Sequence, residues 1–306
     1  MSLRKTFANT MLKIAEGDDS LVVIVGDISH GIFKPFRDKF PNRYYNIGIS
    51  EPGMVNVAAG LSAKGLIPVV HTIAPFLIER SYEQIKLDFA YQELGVNLVS
   101  VGGAFDYSKL GCSHHCYTDY SLIAQFKNAN VFFPGSNIEF ELLFNSTYKN
   151  KQINYFRLTE FPHGLDFQPG DISAGKGIKV KEGSDLTIVT TGSALKRVLE
   201  AEKILVTLGH SIEVIYCHSL KPFDSELVQE STKKTKKVIT FEEISSQDGL
   251  FNLVNASISG KFKYSIMQLA INEFIRQYGT FYELCEASGL STENLVASSL
   301  NLLTGS

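Results

Sequence analysis

Asn46-Ile-Gly-Ile-Ser-Glu51-Pro-Gly-Met-Val-Asn-Val-Ala-Ala-Gly60 carries the end of a strand into the start of a helix. Arg43 to Asn46 reads as a short strand, Gly48 permits a sharp turn, and Met54, Val55, Ala58 and Leu61 fall at the spacing of a buried helical face. Glu51 is therefore expected near a helix N-terminus at the carboxyl edge of a sheet, where open α/β folds hold their ligands. A glutamate in a first turn also favours its helix dipole, so position alone gives it no chemical role.

Outward from this unit the same rhythm repeats. Strands are expected at Leu21-Val25, Ile67-Thr72, Val96-Val101, Val131-Pro134 and Asn154-Arg157, with helices around 3–16, 52–64, 78–91, 118–128 and 138–148. Strands that are apolar almost throughout, alternating with helices, imply a mostly parallel sheet covered on both faces. From Thr159 to Gly183 the pattern lapses into Pro162, Gly164, Pro169, Gly170, Gly175 and Gly177, a connector with one short strand. A second alternation follows: Leu186-Thr190, helix 194–208, Ile212-Tyr216, helix 224–231, Val238-Phe241, helix 247–258, Ile266-Ala270, and short helices near 280–287 and 291–303. The fold class is α/β with two doubly wound domains, residues 1–160 and a smaller 184–306, joined by a linker over 161–183.

The 306 residues suffice for two cores of ordinary size. A net charge of −3 and 44% hydrophobic content describe a soluble protein with no general attraction for nucleic acid or anionic membranes. No apolar run approaches the ~20 residues of a membrane span, and Met1-Ser-Leu-Arg-Lys is not followed by the apolar core of a signal peptide. The four cysteines, at 112, 116, 217 and 285, lack a disulfide-framework spacing. A cytoplasmic location is expected.

Asn46-Ile-Gly-Ile-Ser-Glu51, Thr72-Ile-Ala-Pro-Phe76-Leu-Ile-Glu-Arg80-Ser-Tyr82-Glu-Gln84 and Gly111-Cys-Ser-His114 together resemble the pyrimidine-binding half of a thiamine diphosphate enzyme. They are most similar to the C-terminal subunit of split transketolases. The region from about Leu186, with Leu220-Lys-Pro-Phe-Asp224 and Glu242-Glu243, resembles the transketolase C-terminal domain. The resemblance thus spans nearly the whole chain.

The resemblance implies a carbohydrate transferase that moves a two-carbon ketol unit from a ketose to an aldehyde. It implies that Glu51 is catalytic, held against the aminopyrimidine of thiamine diphosphate so that the cofactor acts as its own base. A carboxyl sharing a proton with that ring nitrogen needs an apolar setting, for which Met54, Val55 and Phe76 are the candidates. Phe76 matches the aromatic that stacks on the aminopyrimidine, a contact giving about 0.5–1.5 kcal/mol beyond burial; in a chain with 21 phenylalanines it also reads as core. Ile49, Arg80, Tyr82 and Asp27 join the candidate cofactor contacts, Arg80 and Tyr82 reading equally well as a salt-bridged surface group and a packed ring. His114 matches the histidine of a Thr-His segment that contacts the substrate carbonyl, work suited to an imidazole. His30 and His71 are lesser substrate candidates, each also readable as a satisfied polar residue at a strand end. His115 has no counterpart, and a zinc site from Cys112, His114, His115 and Cys116 is too crowded for tetrahedral spacing.

Three positions depart from the pattern. Transketolases carry an acid four residues before the histidine, where this chain has Leu110. The family strand runs Arg-Leu-Gly-Arg, its second Arg gripping a sugar phosphate; here it reads Arg157-Leu158-Thr159-Glu160. Glu-Glu-His becomes Glu242-Glu243-Ile244. Arg157 and Glu160 are therefore tentative substrate residues, and a donor or acceptor other than a pentose phosphate is expected unless Arg157 or a partner residue substitutes.

The family's diphosphate and Mg2+ cradle, a Gly-Asp-Gly motif with a later Asn, is missing: Gly-Asp at 17, 26 and 170 is never followed by Gly. Asn56 lies at a tempting distance from Asp27 but inside the helix that Glu51 opens. The resemblance implies no metal ligand in this chain and a separately encoded N-terminal partner of similar length that carries Gly-Asp-Gly, assembled α2β2 with cofactor at the interface. 1-Deoxyxylulose-5-phosphate synthase and 2-oxoacid dehydrogenase β subunits share these domains, but the spacing of Phe76 to Arg80 and the closing Tyr278-Gly-Thr-Phe-Tyr-Glu-Leu follow split transketolases. A non-catalytic scaffold or regulatory subunit is the reading of another class, opposed by Glu51 and favoured by Leu110 and Glu160.

Overall fold

The first six strands are β1 (Leu21–Val25), β2 (Tyr44–Asn46), β3 (Ile67–Ile73), β4 (Val96–Val101), β5 (Ala129–Phe132) and β6 (Ile153–Arg157). Leu21–Val25 is buried at every residue because helices cover both faces of the sheet, so the alternation of a half-exposed strand is absent. In the computed structural model, which describes residues 2–304, these strands pair in parallel in the order β5-β6-β4-β3-β1-β2.

The remaining strands are β7 (Ile178–Lys181), β8 (Leu186–Thr190), β9 (Ile212–Tyr216), β10 (Ser219–Lys221), β11 (Lys237–Ser245) and β12 (Ser265–Ile271). Five of them form a second sheet, β12-β11-β8-β9-β7, parallel except for β7, which lies antiparallel on β9. The connector thus supplies the edge strand of the second sheet. The segment Leu220-Lys-Pro-Phe-Asp224 does something else: through β10 it adds an antiparallel edge to the first sheet, Ser219 opposite Phe132.

One face of the first sheet packs on the helices Leu3–Ala15 and Asn137–Thr147, with Phe7, Phe33, Phe140 and Phe144 fully buried. Each such side chain contributes about 1.5–3 kcal/mol of transfer free energy. The other face, around Met54, Val55 and Ile123, belongs to a cluster that continues through Phe133 and Leu220 to Val189 and Ile215 of the second sheet. The two sheets therefore share buried apolar surface at their junction.

The expected α/β architecture is observed, with two local corrections. The helix expected over 78–91 is not regular: Pro75–Glu79 and Ile85–Ala90 are π-helical, separated by a short α segment, Tyr82–Gln84. The amide of Arg80 bonds the Pro75 carbonyl, five residues back, at 3.0 Å. A π segment inserts one residue per turn, which apolar spacing cannot reveal, and such bulges concentrate at functional sites. The helix expected over 118–128 stops at Ala124, as Asp119–Ala124. A helix at Lys34–Lys39 was not legible, since its one fully buried side chain is Phe36. Among the described residues no helix is long and apolar enough to cross a membrane.

Candidate active site

Five strand ends of the first sheet deliver the candidate residues to one carboxyl edge. Beyond β2, Gly48 takes φ +76, a backbone conformation that disfavours side chains, and turns the chain into the helix Glu51–Ala63. Pro52 occupies the first turn of that helix, where a missing N–H costs nothing. Glu51 is 2% exposed. Its Oε2 accepts from Arg80 Nη1 at 2.8 Å, and among the described residues Oε1 takes no hydrogen bond.

Arg80 arrives from the π-helical segment after β3. Its guanidinium also lies over the Phe76 ring, 4.2 Å from the centroid. Phe76 meets the His114 imidazole edge-on, centroids 5.1 Å apart at 75°. Glu51, Arg80, Phe76 and His114 thus form one contiguous cluster from three strand ends. The setting of Glu51 is accordingly not apolar alone, as the sequence suggested, but includes a cation whose side chain is 47% exposed.

His114 is half-buried, with Nδ1 3.0 Å from the Ser113 hydroxyl. Burial, and secondarily the positive charge of Arg80, hold its pKa below the ordinary histidine value, which favours the neutral imidazole. A buried carboxylate with one uncommitted oxygen, a flat ring and a neutral imidazole can together orient a planar heterocycle and exchange protons with it.

The other candidates lie in different surroundings. Ile49 is 77% exposed beside Glu51. Asp27, at φ +58, is tied to Asn46 by its backbone amide, 3.1 Å from Asn46 Oδ1. Tyr82 stacks on Phe126 at 5.5 Å and packs against the core. His30 is exposed and receives a bond from Arg37 Nη1 at 3.0 Å. His71 is fully buried, its Nδ1 2.7 Å from the Val99 carbonyl and its Nε2 2.8 Å from the Ser29 hydroxyl. Burial pushes its pKa down to about 4. Arg157 is buried and spent inside the protein: Nη1 donates to Asp119 at 3.2 Å, Nη2 to the Glu243 carbonyl at 3.2 Å, and the guanidinium covers Phe133.

Glu160 is not a bare carboxylate. It pairs with Arg4 at 3.3 Å and accepts from the Tyr107 hydroxyl at 3.4 Å, while Arg4 also donates to Ser29. Beside it, Asp106 accepts from the Thr159 hydroxyl and the Glu160 amide, both at 3.1 Å, and burial followed by the charge of Glu243 pushes its pKa up to about 8. Leu110 is 54% exposed on the loop before His114. Sequence reading missed Arg4, Asp106 and Asp119, whose partners lie far along the chain. Of the last pair of glutamates, Glu242 caps the helix Leu250–Ile258 by accepting from the Leu250 and Phe251 amides. Glu243 accepts from Ser193 and Arg197. Among the described residues no cluster of three or more His, Cys, Asp or Glu is arranged to hold a metal.

Residues 1–160 match the family model for the transketolase pyrimidine binding domain, and residues 175–295 match that for the transketolase C-terminal domain. The chain belongs to the transketolase family. Among transketolase relatives, it is 28% identical over 296 residues to the 6-deoxy-6-sulfo-D-fructose transketolase subunit SqwH of Clostridium sp. (strain MSTE9), covering 96% of this chain and 92% of that one. It is 30% identical over 265 residues to one of the apulose-4-phosphate transketolase subunits of Actinobacillus succinogenes, covering 83% and 84%. A solved split-gene transketolase, an inactive β4 tetramer, superposes with a TM-score of 0.90 at 30% identity and covers 99% of both chains. The likeness to split transketolase subunits therefore extends over both sheets.

Proposed function

We propose that this chain is the pyrimidine-binding subunit of a thiamine diphosphate-dependent transketolase, transferring a two-carbon ketol unit from a ketose to an aldehyde. The observation that carries this reading is the buried Glu51 carboxylate, one oxygen anchored by Arg80 and the other uncommitted, next to Phe76 and His114. This donor set fits an aminopyrimidine: the Glu51 carboxylate would share a proton with a ring nitrogen, and the half-buried Phe76 ring would support the flat heterocycle. When bound, thiamine diphosphate supplies the electron sink through which a carbon–carbon bond beside a ketone is broken and re-formed.

The chain's own residues hold, orient and donate. Arg80 fixes the Glu51 rotamer, so that the carboxylate is preorganised rather than recruited. His114, its Nδ1 within hydrogen-bond reach of the Ser113 hydroxyl, donates from its protonated ring nitrogen to a substrate oxygen, a role that suits a neutral imidazole. Mg2+ and the diphosphate are held by a separately encoded partner that carries Gly-Asp-Gly, in an α2β2 assembly in the cytoplasm. The existence of a split-gene transketolase as an inactive β4 tetramer supports that dependence.

The substrate departs from the pentose phosphates. Arg157 is committed to Asp119 and Glu243, Glu160 presents a carboxylate compensated by Arg4, and Leu110 accepts no hydrogen bond. Relatives acting on a sulfonated ketose and on apulose 4-phosphate support a family that varies its substrates. The test is reconstitution. The chain alone is expected to be inactive; with the Gly-Asp-Gly subunit, thiamine diphosphate and Mg2+ it consumes a ketose, and turns over xylulose 5-phosphate with ribose 5-phosphate poorly. A homo-oligomer of this chain active by itself refutes the subunit reading, and ordinary pentose phosphate efficiency refutes the altered substrate.

A further inference from the structure

The loop that presents His114 is held by a ring from the other half of the molecule. Gly111 has φ +77, and a Cβ placed there would lie 2.5 and 2.8 Å from two ring carbons of Tyr278, so the tyrosine rests directly on the Gly111 backbone. The Gly111 carbonyl accepts the His114 amide at 2.9 Å, and the Gly111 amide bonds the Ser108 carbonyl at 3.2 Å. Whatever fixes Gly111 therefore fixes the backbone that carries His114. Tyr278 is 74% exposed, so burial is not what holds its ring in place.

The segment that carries Tyr278 is pinned at both ends. Between β12 and the helix Phe281–Ala287 it runs without regular structure, but Ile275 is buried in the second core. After it, Thr280 and Glu283 close a capping box, the Thr280 amide donating to Glu283 at 2.7 Å. Phe281 then stacks on Phe161, from the segment after β6, with centroids 4.1 Å apart. A short segment anchored on both sides and to both halves delivers one ring to a fixed point.

We infer that Tyr278 is a positioning residue, by which the C-terminal half of the chain sets the orientation of His114. This rests on the catalytic reading only for its effect on turnover; the mechanical part stands on geometry. Small misplacements of a reacting group cost up to about a hundredfold in rate, so a loosened turn lowers kcat more than it raises KM.

Two readouts separate the inference from the proposed activity. In the full-length chain, Tyr278→Ala is expected to speed amide exchange over residues 108–116 by about tenfold, leaving the strands of both sheets unchanged. Tyr278→Phe, which keeps the ring, is expected to exchange like the parent, and Gly111→Ala, which displaces the ring, to reproduce Tyr278→Ala. In the same variants the His114 imidazole, followed by NMR titration, should move up toward the ordinary histidine range as the loop admits water, with Tyr278→Phe again like the parent. In the reconstituted enzyme, Tyr278→Ala should lower kcat about 10- to 100-fold with KM within about threefold. Unchanged exchange over 108–116, or faster exchange throughout the second sheet, overturns the inference. Intact exchange signatures in a pair that consumes no ketose would instead refute the catalytic reading and leave the positioning role standing.

Discussion

Replacing Arg80 by Met isolates the group that holds Glu51. The lost interactions are one charge-assisted hydrogen bond at 2.8 Å and a cation–π contact at 4.2 Å. Breaking a fully buried pair costs about 3–5 kcal/mol, and an exposed pair contributes about 0–1 kcal/mol. Here the carboxylate side chain is 3% exposed but the guanidinium 47%, so water screens one partner and the pair term falls between, at about 1–2 kcal/mol. The cation–π contact adds about 0.5 kcal/mol at such exposure. Arg80→Met is thus expected to lower stability by about 2 kcal/mol at pH 7. Urea unfolding of the isolated chain followed by far-ultraviolet circular dichroism measures it, read from midpoints at constant slope. Combined with Glu51→Gln in a double-mutant cycle, the coupling should be about 1–2 kcal/mol. A coupling within about 0.3 kcal/mol of zero would mean that Arg80 does not anchor the carboxylate, and the reasoning about Glu51 preorganisation would be wrong.

Two buried groups tilt the pH profile of stability in opposite directions. Burial raises Glu242 to about 7, so the folded chain keeps a proton that the unfolded chain releases near 4.5; its contribution is complete below 4.5 and is lost as pH rises through 7. Glu242→Gln should remove about 3 kcal/mol of that decline, seen as a flatter stability curve between pH 5 and 8. His71 is depressed from 6.5 to about 4, so its contribution is present above 6.5 and lost as pH falls toward 4; His71→Gln should abolish about 3 kcal/mol of acid sensitivity in that window. Glu160→Gln breaks a pair whose partners are 29% and 41% exposed, and should change the unfolding midpoint by less than the equivalent of about 1 kcal/mol.

Apolar runs made the architecture legible. Leu21–Val25, Val96–Val101, Leu186–Thr190 and Ile212–Tyr216 are strands at the expected bounds, because each is buried on both faces and is apolar nearly throughout. Ser219–Lys221 is a three-residue antiparallel edge, too short for a periodicity and recognisable only by its partner Val131–Phe132. The π-helical turns at 75–90 escaped because their spacing is not 3.6 residues. In the site, Glu51, Phe76, Arg80 and His114 were each visible from local motifs, and the fold brings them together. The pairing of Arg4 with Glu160, 156 positions apart, and the commitment of Arg157 to Asp119 are long-range facts that one sequence does not carry.

Turnover after Glu51→Ala tests the account most directly. With the Gly-Asp-Gly subunit, thiamine diphosphate and Mg2+ present, the variant complex should consume its ketose about 10²- to 10⁴-fold more slowly than the parent while assembling normally. Equal rates for the two complexes would contradict the assignment of this carboxylate and, with it, the proposed chemistry.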